Sequence, residues 1–335
     1  MKLKWYLFFL TILTVSIVLY NYVEKKADSP IKIGVLMIGD SRLEKFSGLK
    51  KGMTDLGYDD KDIKFLFKNA HDRKENLIND IDSLLKKNPD VIVTLGGIET
   101  LDLQARLENS KQNIPVVFAG VAAPKEIGLI KDYKSPGGQF TGINNYHTSI
   151  SGKRMEIFHD LVPSIQRFHV LYDEEIETSR LSLEKTREAA GELSIMIIPG
   201  NVGEPDFFQK IETNLRKGDA IIILPGFRIE SLTNEIVQLS KKYGLPVMGL
   251  YEQEVKEGYL ASYGASFYDQ GYQSARYVSL IIQGNSPRDI PVELPDSIRF
   301  LVNRQVQEEL GINLNKNLLY IADLIDGDGK EENSE

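Results

Sequence analysis

Three segments gather small polar residues, two of them with glycine, where donors can converge: Gly39-Asp40-Ser41, Gly96-Gly97-Ile98-Glu99-Thr100 and Thr178-Ser179. Each reads as the start of a helix, the first two directly after an apolar run. The first turn of a helix leaves backbone N–H groups free at the positive end of its dipole, which suits a carboxylate or a phosphate. The same residues also fit a purely structural reading. Gly96 and Gly97 can serve a tight turn, Glu99 can complement the dipole, and Asp40, Ser41, Thr178 or Ser179 can act as N-caps. Tyr146, Phe227, Tyr251 and Tyr268 fall at expected loops or crossovers, where a flat apolar ligand gains offset stacking. Hinge packing is the competing reading for Tyr146 and Tyr268. Arg228, beside Phe227, could clamp a carboxylate with two parallel hydrogen bonds, or simply sit at a surface helix start.

Catalytic patterns are missing. The four histidines, His71, His147, His159 and His169, have no i+3 or i+4 partner histidine and no HExxH, so a metal cluster is not expected. No GxSxG and no GxxxxGK[ST] is present, and the absence of cysteine removes thiolate chemistry and disulfides together. The first strand is not followed by GxGxxG, which argues against a nicotinamide enzyme. Carboxylate pairs such as Glu174-Glu175 read as solvated. No cofactor is expected, and an enzyme is the least favoured class. A net charge of −8 leaves no basic stripe for nucleic acid.

The elements that must position these residues repeat. Asp90-Val91-Ile92-Val93-Thr94-Leu95-Gly96-Gly97, a helical stretch and Ile114-Pro115-Val116-Val117-Phe118-Ala119-Gly120 are answered later by a second set. That set is Asp219-Ala220-Ile221-Ile222-Ile223-Leu224-Pro225-Gly226, a helical stretch and Leu245-Pro246-Val247-Met248-Gly249. Apolar runs of four or five residues handing over at glycine are the pattern of parallel strands buried on both faces. Two such halves predict an α/β fold of two Rossmann-like lobes with parallel sheets joined by a hinge. Strand C-termini and helix N-termini then face a cleft that binds something small. In the first half, strands are expected at 31–38, 63–67, 91–95, 115–119 and 140–143. A helix is expected to run through Leu56, another to be capped by Asp72, and a third to lie near 98–109. In the second half, helices are expected at 148–161, 178–192, 205–217, 229–243, 267–283 and 303–311. Strands are expected there at 167–172, 194–198, 219–224, 246–250, 260–263 and, last, 298–302. The expected lobes are 28–145 with about 265–296, and 146–264 with about 297–325.

At the N-terminus, Lys2 and Lys4 precede an uncharged run from Trp5 to Tyr20 that Asn21-Tyr22-Val23 extends. A helix over residues 5–23 rises roughly 28 Å, close to the bilayer core. Residues 20–28 offer only Ala27 as a small residue, a poor cleavage site. The reading is an N-terminal membrane anchor within residues 1–27, with a cleaved signal peptide as the alternative, and either places the rest of the chain outside the cytoplasm. Residues 326–335 are acidic and read as a disordered tail.

At residues 115–142 the sequence becomes specific: Pro115-Val116-Val117-Phe118-Ala119-Gly120-Val121-Ala122-Ala123-Pro124, then Gly128-Leu129-Ile130, then Ser135-Pro136-Gly137-Gly138-Gln139-Phe140-Thr141-Gly142. This resembles the substrate-binding proteins of ABC transporters, in the group that includes the tryptophan/tyrosine-type (TrpX-like) binders. The likeness also takes in Gly48 to Gly57, Val170-Leu171-Tyr172, Gly258-Tyr259-Leu260-Ala261-Ser262-Tyr263-Gly264, Ile281-Ile282-Gln283-Gly284 and Leu310-Gly311-Ile312. It implies a type I periplasmic-binding-protein fold whose lobes close on a small ligand and deliver it to a membrane permease, the chain being read as a monomer. A sensor signalling to a membrane partner is the alternative. Where the family commonly carries Thr-Asp, a carboxylate for a ligand amine, this chain has Ala122 and Ala123. In the loop after residues 246–250 only Glu252 keeps the family's acidic character. With Phe227, Arg228 and Tyr251 alongside, this implies an aromatic or heterocyclic ligand without an obligatory amine.

Overall fold

Short apolar runs become the strands of two sheets in the computed structural model, which describes residues 29–326. The first lobe alternates β1 (Ile31–Met37), α1 (Leu43–Asp55), β2 (Ile63–Asn69), α2 (Lys74–Leu85), β3 (Val91–Thr94), α3 (Gly97–Ser110), β4 (Val116–Val121) and β5 (Phe140–Asn144). Its sheet order is β2-β1-β3-β4-β5, with every pair parallel. A 3-10 turn, Asp40–Arg42, leads into α1. All of β3 and β4 is buried, as expected for strands covered on both faces.

The second lobe runs α4 (Ser151–Leu161), β6 (Arg167–Tyr172), α5 (Glu177–Glu192), β7 (Met196–Asn201), α6 (Phe207–Asn214) and β8 (Asp219–Ile223). It continues with α7 (Phe227–Glu230), α8 (Thr233–Tyr243), β9 (Val247–Gly249), α9 (Glu252–Glu257) and β10 (Ala261–Gly264). The chain then returns to the first lobe as α10 (Phe267–Ile282), and comes back as β11 (Arg299–Asn303), α11 (Arg304–Leu310), α12 (Lys316–Leu319) and β12 (Asp323–Ile325). The sheet order is β12-β11-β10-β9-β8-β6-β7. One pair, β10 with β11, is antiparallel, so this sheet is not wholly parallel as the sequence suggests. The reason is connectivity: β11 re-enters the lobe from its neighbour without a crossover helix of its own.

Other departures are local. The helix expected at 229–243 breaks into α7 and α8, and α9, α12 and β12 are additional. Elements of three to six residues are too short to leave a readable period. Asp72 does not cap α2. It sits in the left-handed region (φ 61°), and Arg73 occupies the N-cap position without a side-chain cap. The anchor expected over residues 5–23 lies outside the described residues, as does the acidic tail beyond residue 326. Among the described residues no helix is long and apolar enough to cross a membrane.

The return of α10 onto α1 seals the first lobe with backbone-to-backbone contact. A Cβ on Gly48 would lie 2.1 Å from the Tyr268 carbonyl oxygen, one on Gly271 1.8 Å from that of Lys45, and one on Gly52 2.6 Å from Ala275 Cβ. The glycines at 48 and 52 therefore mark the helix face on which the late segment lands. The return path is pinned where β5 leaves the lobe: Asn144 N donates to Glu293 O at 2.8 Å, and Thr141 Oγ1 donates to Ile290 O at 2.7 Å. Since the obstruction at Gly271 is backbone, Gly271→Val should destabilise by about 3 kcal/mol or more, the upper end of overpacking. Urea unfolding of the variant beside the parent chain checks this; an unchanged midpoint would refute the close-packed seam.

Candidate ligand-binding cleft

The ends of β1, β3 and β4 in the first lobe and of β6, β8 and β9 in the second point at one another. Between them is a cavity of about 490 Å³, within the usual size range for small-molecule sites. Its walls mix apolar side chains, among them Ile98, Leu101, Val121, Ile127, Ile176 and Phe227, with ionisable groups. Of the residues singled out in the sequence, Gly96, Gly97, Ala122, Thr178, Phe227 and Tyr251 line this cavity.

The remaining candidates are placed elsewhere. Asp40 and Ser41 are exposed on the turn, where Asp40 accepts from Asn69 Nδ2. Glu99 is fully buried beneath the cavity. Thr100 is spent on its own helix start, its hydroxyl donating to Gly96 O and meeting Thr94 Oγ1 at 2.7 Å. Ser179 is buried and accepts from Asp173 N at 2.9 Å. Arg228 faces away, 2.6 Å from Glu175 and 3.5 Å from Asp173. Glu252 pairs with Arg299 at 2.9 Å. Tyr146 does not line the cavity and occupies the crossover with φ 65°; Tyr268 is exposed and stacks on Tyr272. For Thr100 and Ser179 local periodicity gave the helix but not the direction of the side chain, whereas Arg228 and Glu252 lie in short helices it did not resolve.

Arg42 is the central residue that sequence reading missed. It follows Ser41 directly and is 5% exposed. Its Nη2 lies 3.0 Å from Glu230 Oε2 on α7, and its Nη1 lies 3.7 Å from Glu99 Oε2. Burial alone would lower the guanidinium, but Glu230 and Glu99 outweigh it and hold its pKa above the ordinary value. Glu99 is pushed up by burial, with Arg42 opposing. Because Arg42 belongs to the first lobe and Glu230 to the second, the pair spans the cleft. Phe227 also packs against the apolar core of the first lobe, and Lys256 approaches Glu44 at 3.9 Å, so the two lobes meet in a closed arrangement. Arg42 Nε and Nη1 have no hydrogen-bond partner. They stand beside the uncapped N-terminus of α3, so donors and positive potential meet at one end of the cavity.

Gly96 makes room for this guanidinium: a Cβ there would lie 2.7 Å from Arg42 Cζ. At Gly97 an added Cβ meets nothing within 4 Å and would project into open cavity space. Lys45, one helical turn after Arg42, is buried with Nζ 2.9 Å from Ala119 O and 4.7 Å from the centre of the Phe267 ring. Burial, reinforced by Arg42, brings its pKa down to about 7.

The cavity also holds carboxylates that the sequence reading did not single out, Asp102, Glu126, Glu177 and Glu230, together with Glu175, which was read as solvated. The expectation that the loss of acid at Ala122 and Ala123 leaves a ligand amine without partners therefore does not hold. Among these, Glu230 was within reach of sequence reasoning, lying one helical turn after Phe227. Asp102 lies four residues after Ile98 on the same face of α3. Among the described residues no group of three or more histidines or acids is placed to hold a metal ion.

Two lobes closed over a cavity lined by apolar and charged side chains have the form of a solute receptor. The model of the ABC transporter substrate binding protein family matches residues 30–325, and the chain belongs to that family. The "Tyrosine-binding protein" of Clostridioides difficile (strain R20291) is 25% identical over 292 residues, covering 85% of this chain and 83% of that one. An ABC domain from Streptococcus pneumoniae in complex with L-Trp superposes with a TM-score of 0.79 at 23% identity, over 88% of this chain and 99% of that chain. A ligand-free, open substrate-binding protein with adhesive properties from Clostridium difficile gives 0.67 at 20% identity, over 88% and 99%. The chain is thus an extracytoplasmic solute-binding protein with an ABC permease as its partner, in a family of binding proteins and not of enzymes.

Two predictions follow from this geometry. Gly97→Leu fills the cavity from its wall and should abolish solute binding while thermal unfolding stays close to that of the parent; a variant that merely unfolds would make the turn structural. For Lys45, the unfolded chain keeps its proton up to the ordinary lysine value of 10.5, whereas the folded chain releases it above about 7. Between those values the unfolded state binds more protons, so this residue makes stability rise with pH. Lys45→Met should flatten that rise, read as the unfolding midpoint across the pH series; an identical slope in both proteins would rule the effect out.

Proposed function

We propose that the chain captures an aromatic α-amino acid or a close analogue in the interlobe cleft and presents it to the permease in the closed form. The observation that carries this reading is the polarity of the cavity. Arg42 and the α3 N-terminus supply donors for a carboxylate, apolar walls with Phe227 and Tyr251 accommodate a flat body, and an unpartnered acid on the wall is available to an ammonium. The relatives that bind tyrosine and L-tryptophan support the same class. A ligand touching both walls stabilises only the closed arrangement, which is how binding is read out as closure. The bodies that move are residues 28–145 with 265–296 and residues 146–264 with 297–325, and the protein acts as a monomer tethered by residues 5–23.

Calorimetric titration of the purified full-length protein with L-tryptophan and L-tyrosine tests the ligand class. Micromolar or tighter binding of at least one is expected, accompanied by a smaller radius of gyration in solution scattering. No binding of either would reject the class. Sequencing the N-terminus of the native protein tests the tether, which a chain beginning near Ala27 would exclude.

A further inference from the structure

The cavity has five carboxylates, and four are already occupied. Glu230 is held by Arg42 at 3.0 Å, Glu175 by Arg228 at 2.6 Å, and Glu177 by Arg180; Glu126 accepts from Tyr133 OH at 2.8 Å. Asp102 differs. Its Oδ2 is buried and has no hydrogen-bond partner, although the residue lines the cavity. A buried carboxylate oxygen without a donor costs free energy that nothing in the chain itself recovers. The nearby cations do not relieve it. Arg42 is committed to Glu230 and Glu99, Lys45 donates to Ala119 O, and Lys74 is exposed on the cavity rim.

The position of Asp102 on α3 gives the missing partner a place. Ile98, Leu101 and Asp102 share one helical face through i+3 and i+4 spacing, and all three line the cavity together with Gly97. Arg42, whose Nε has no hydrogen-bond partner, stands at the first turn of that helix. One helix face therefore runs from positive donors at its start to an unpaired carboxylate one turn later, with apolar side chains between. An α-amino acid carries its carboxylate and its ammonium on one carbon, so a ligand whose carboxylate meets the helix start can turn its ammonium toward Asp102 while its side chain lies against the apolar wall.

We propose that Asp102 is the counter-ion for the ligand's ammonium group and the residue that selects amino acids over their deaminated analogues. It replaces, from α3, the acid that the loop at Ala122 and Ala123 lacks. This inference rests on the ligand class given under Proposed function. An ammonium meeting Asp102 supplies a charge-assisted hydrogen bond to the one cavity carboxylate left without a partner.

The test titrates the full-length protein and its Asp102→Asn and Asp102→Glu variants with L-tryptophan and with indole-3-propionate, the same molecule without its amine. The parent protein should prefer tryptophan. Asp102→Asn should weaken tryptophan binding by about ten- to a hundredfold, the loss expected for one hydrogen bond to a charged group. Indole-3-propionate binding should stay within about twofold or tighten, and Asp102→Glu should recover part of the preference. An Asp102→Asn variant that binds tryptophan like the parent overturns the proposal, as does one that weakens both compounds equally. A parent protein that binds neither compound nor tyrosine overturns the ligand class and this assignment with it.

Discussion

A guanidinium buried between two carboxylates from different lobes sets the terms for the rest of the cleft. Arg42 leaves water, which is costly, and is held charged because Glu99 lies beneath it and Glu230 reaches it from across the cavity. Losing one partner of such a buried pair costs about 3–5 kcal/mol, since a bare charge remains. The pair thus links lobe closure to the charge state of the cavity end. Gly96 has no side chain because the guanidinium lies against its backbone, and α3 begins immediately after it.

Buried polar groups behind the cavity wall hold its shape. His147 is fully buried. Its pKa is driven well down by burial and then by Arg154 and Lys45. Its Nδ1 faces Arg154 Nη2 at 3.0 Å and its ring packs edge-on against Tyr251. It therefore braces the crossover and the wall of the cavity as a neutral ring. Tyr251 is itself buried, with its hydroxyl held in the protonated form by that burial. These groups shape the cavity wall.

Closure in turn depends on a rigid first lobe. The contact of α10 with α1 through Gly48, Gly52 and Gly271 brings two backbones together, so the late segment is as firmly seated as the early strands. The crossover from β5 is pinned to the segment before β11 by Asn144 and Glu293. The chain passes between the lobes near residues 145, 265 and 295.

The sequence by itself determined the alternation of strand and helix, the two lobes, the glycines at the strand ends and the family, because each is written in local periodicity or in ordered short motifs. It also placed Gly97, Ala122, Thr178, Phe227 and Tyr251 at the cavity, since strand ends and helix starts must face the cleft in such a fold. It did not place Arg42 or Asp102, and it put Arg228, Glu252 and Ser179 at the site when they serve other contacts. The physical reason is that the rotation of a helix about its own axis, and the pairing of charges 188 residues apart such as Arg42 with Glu230, are fixed by packing between elements. Only the tertiary structure decides which acid meets a cation and which, like Asp102, is left facing the cavity alone.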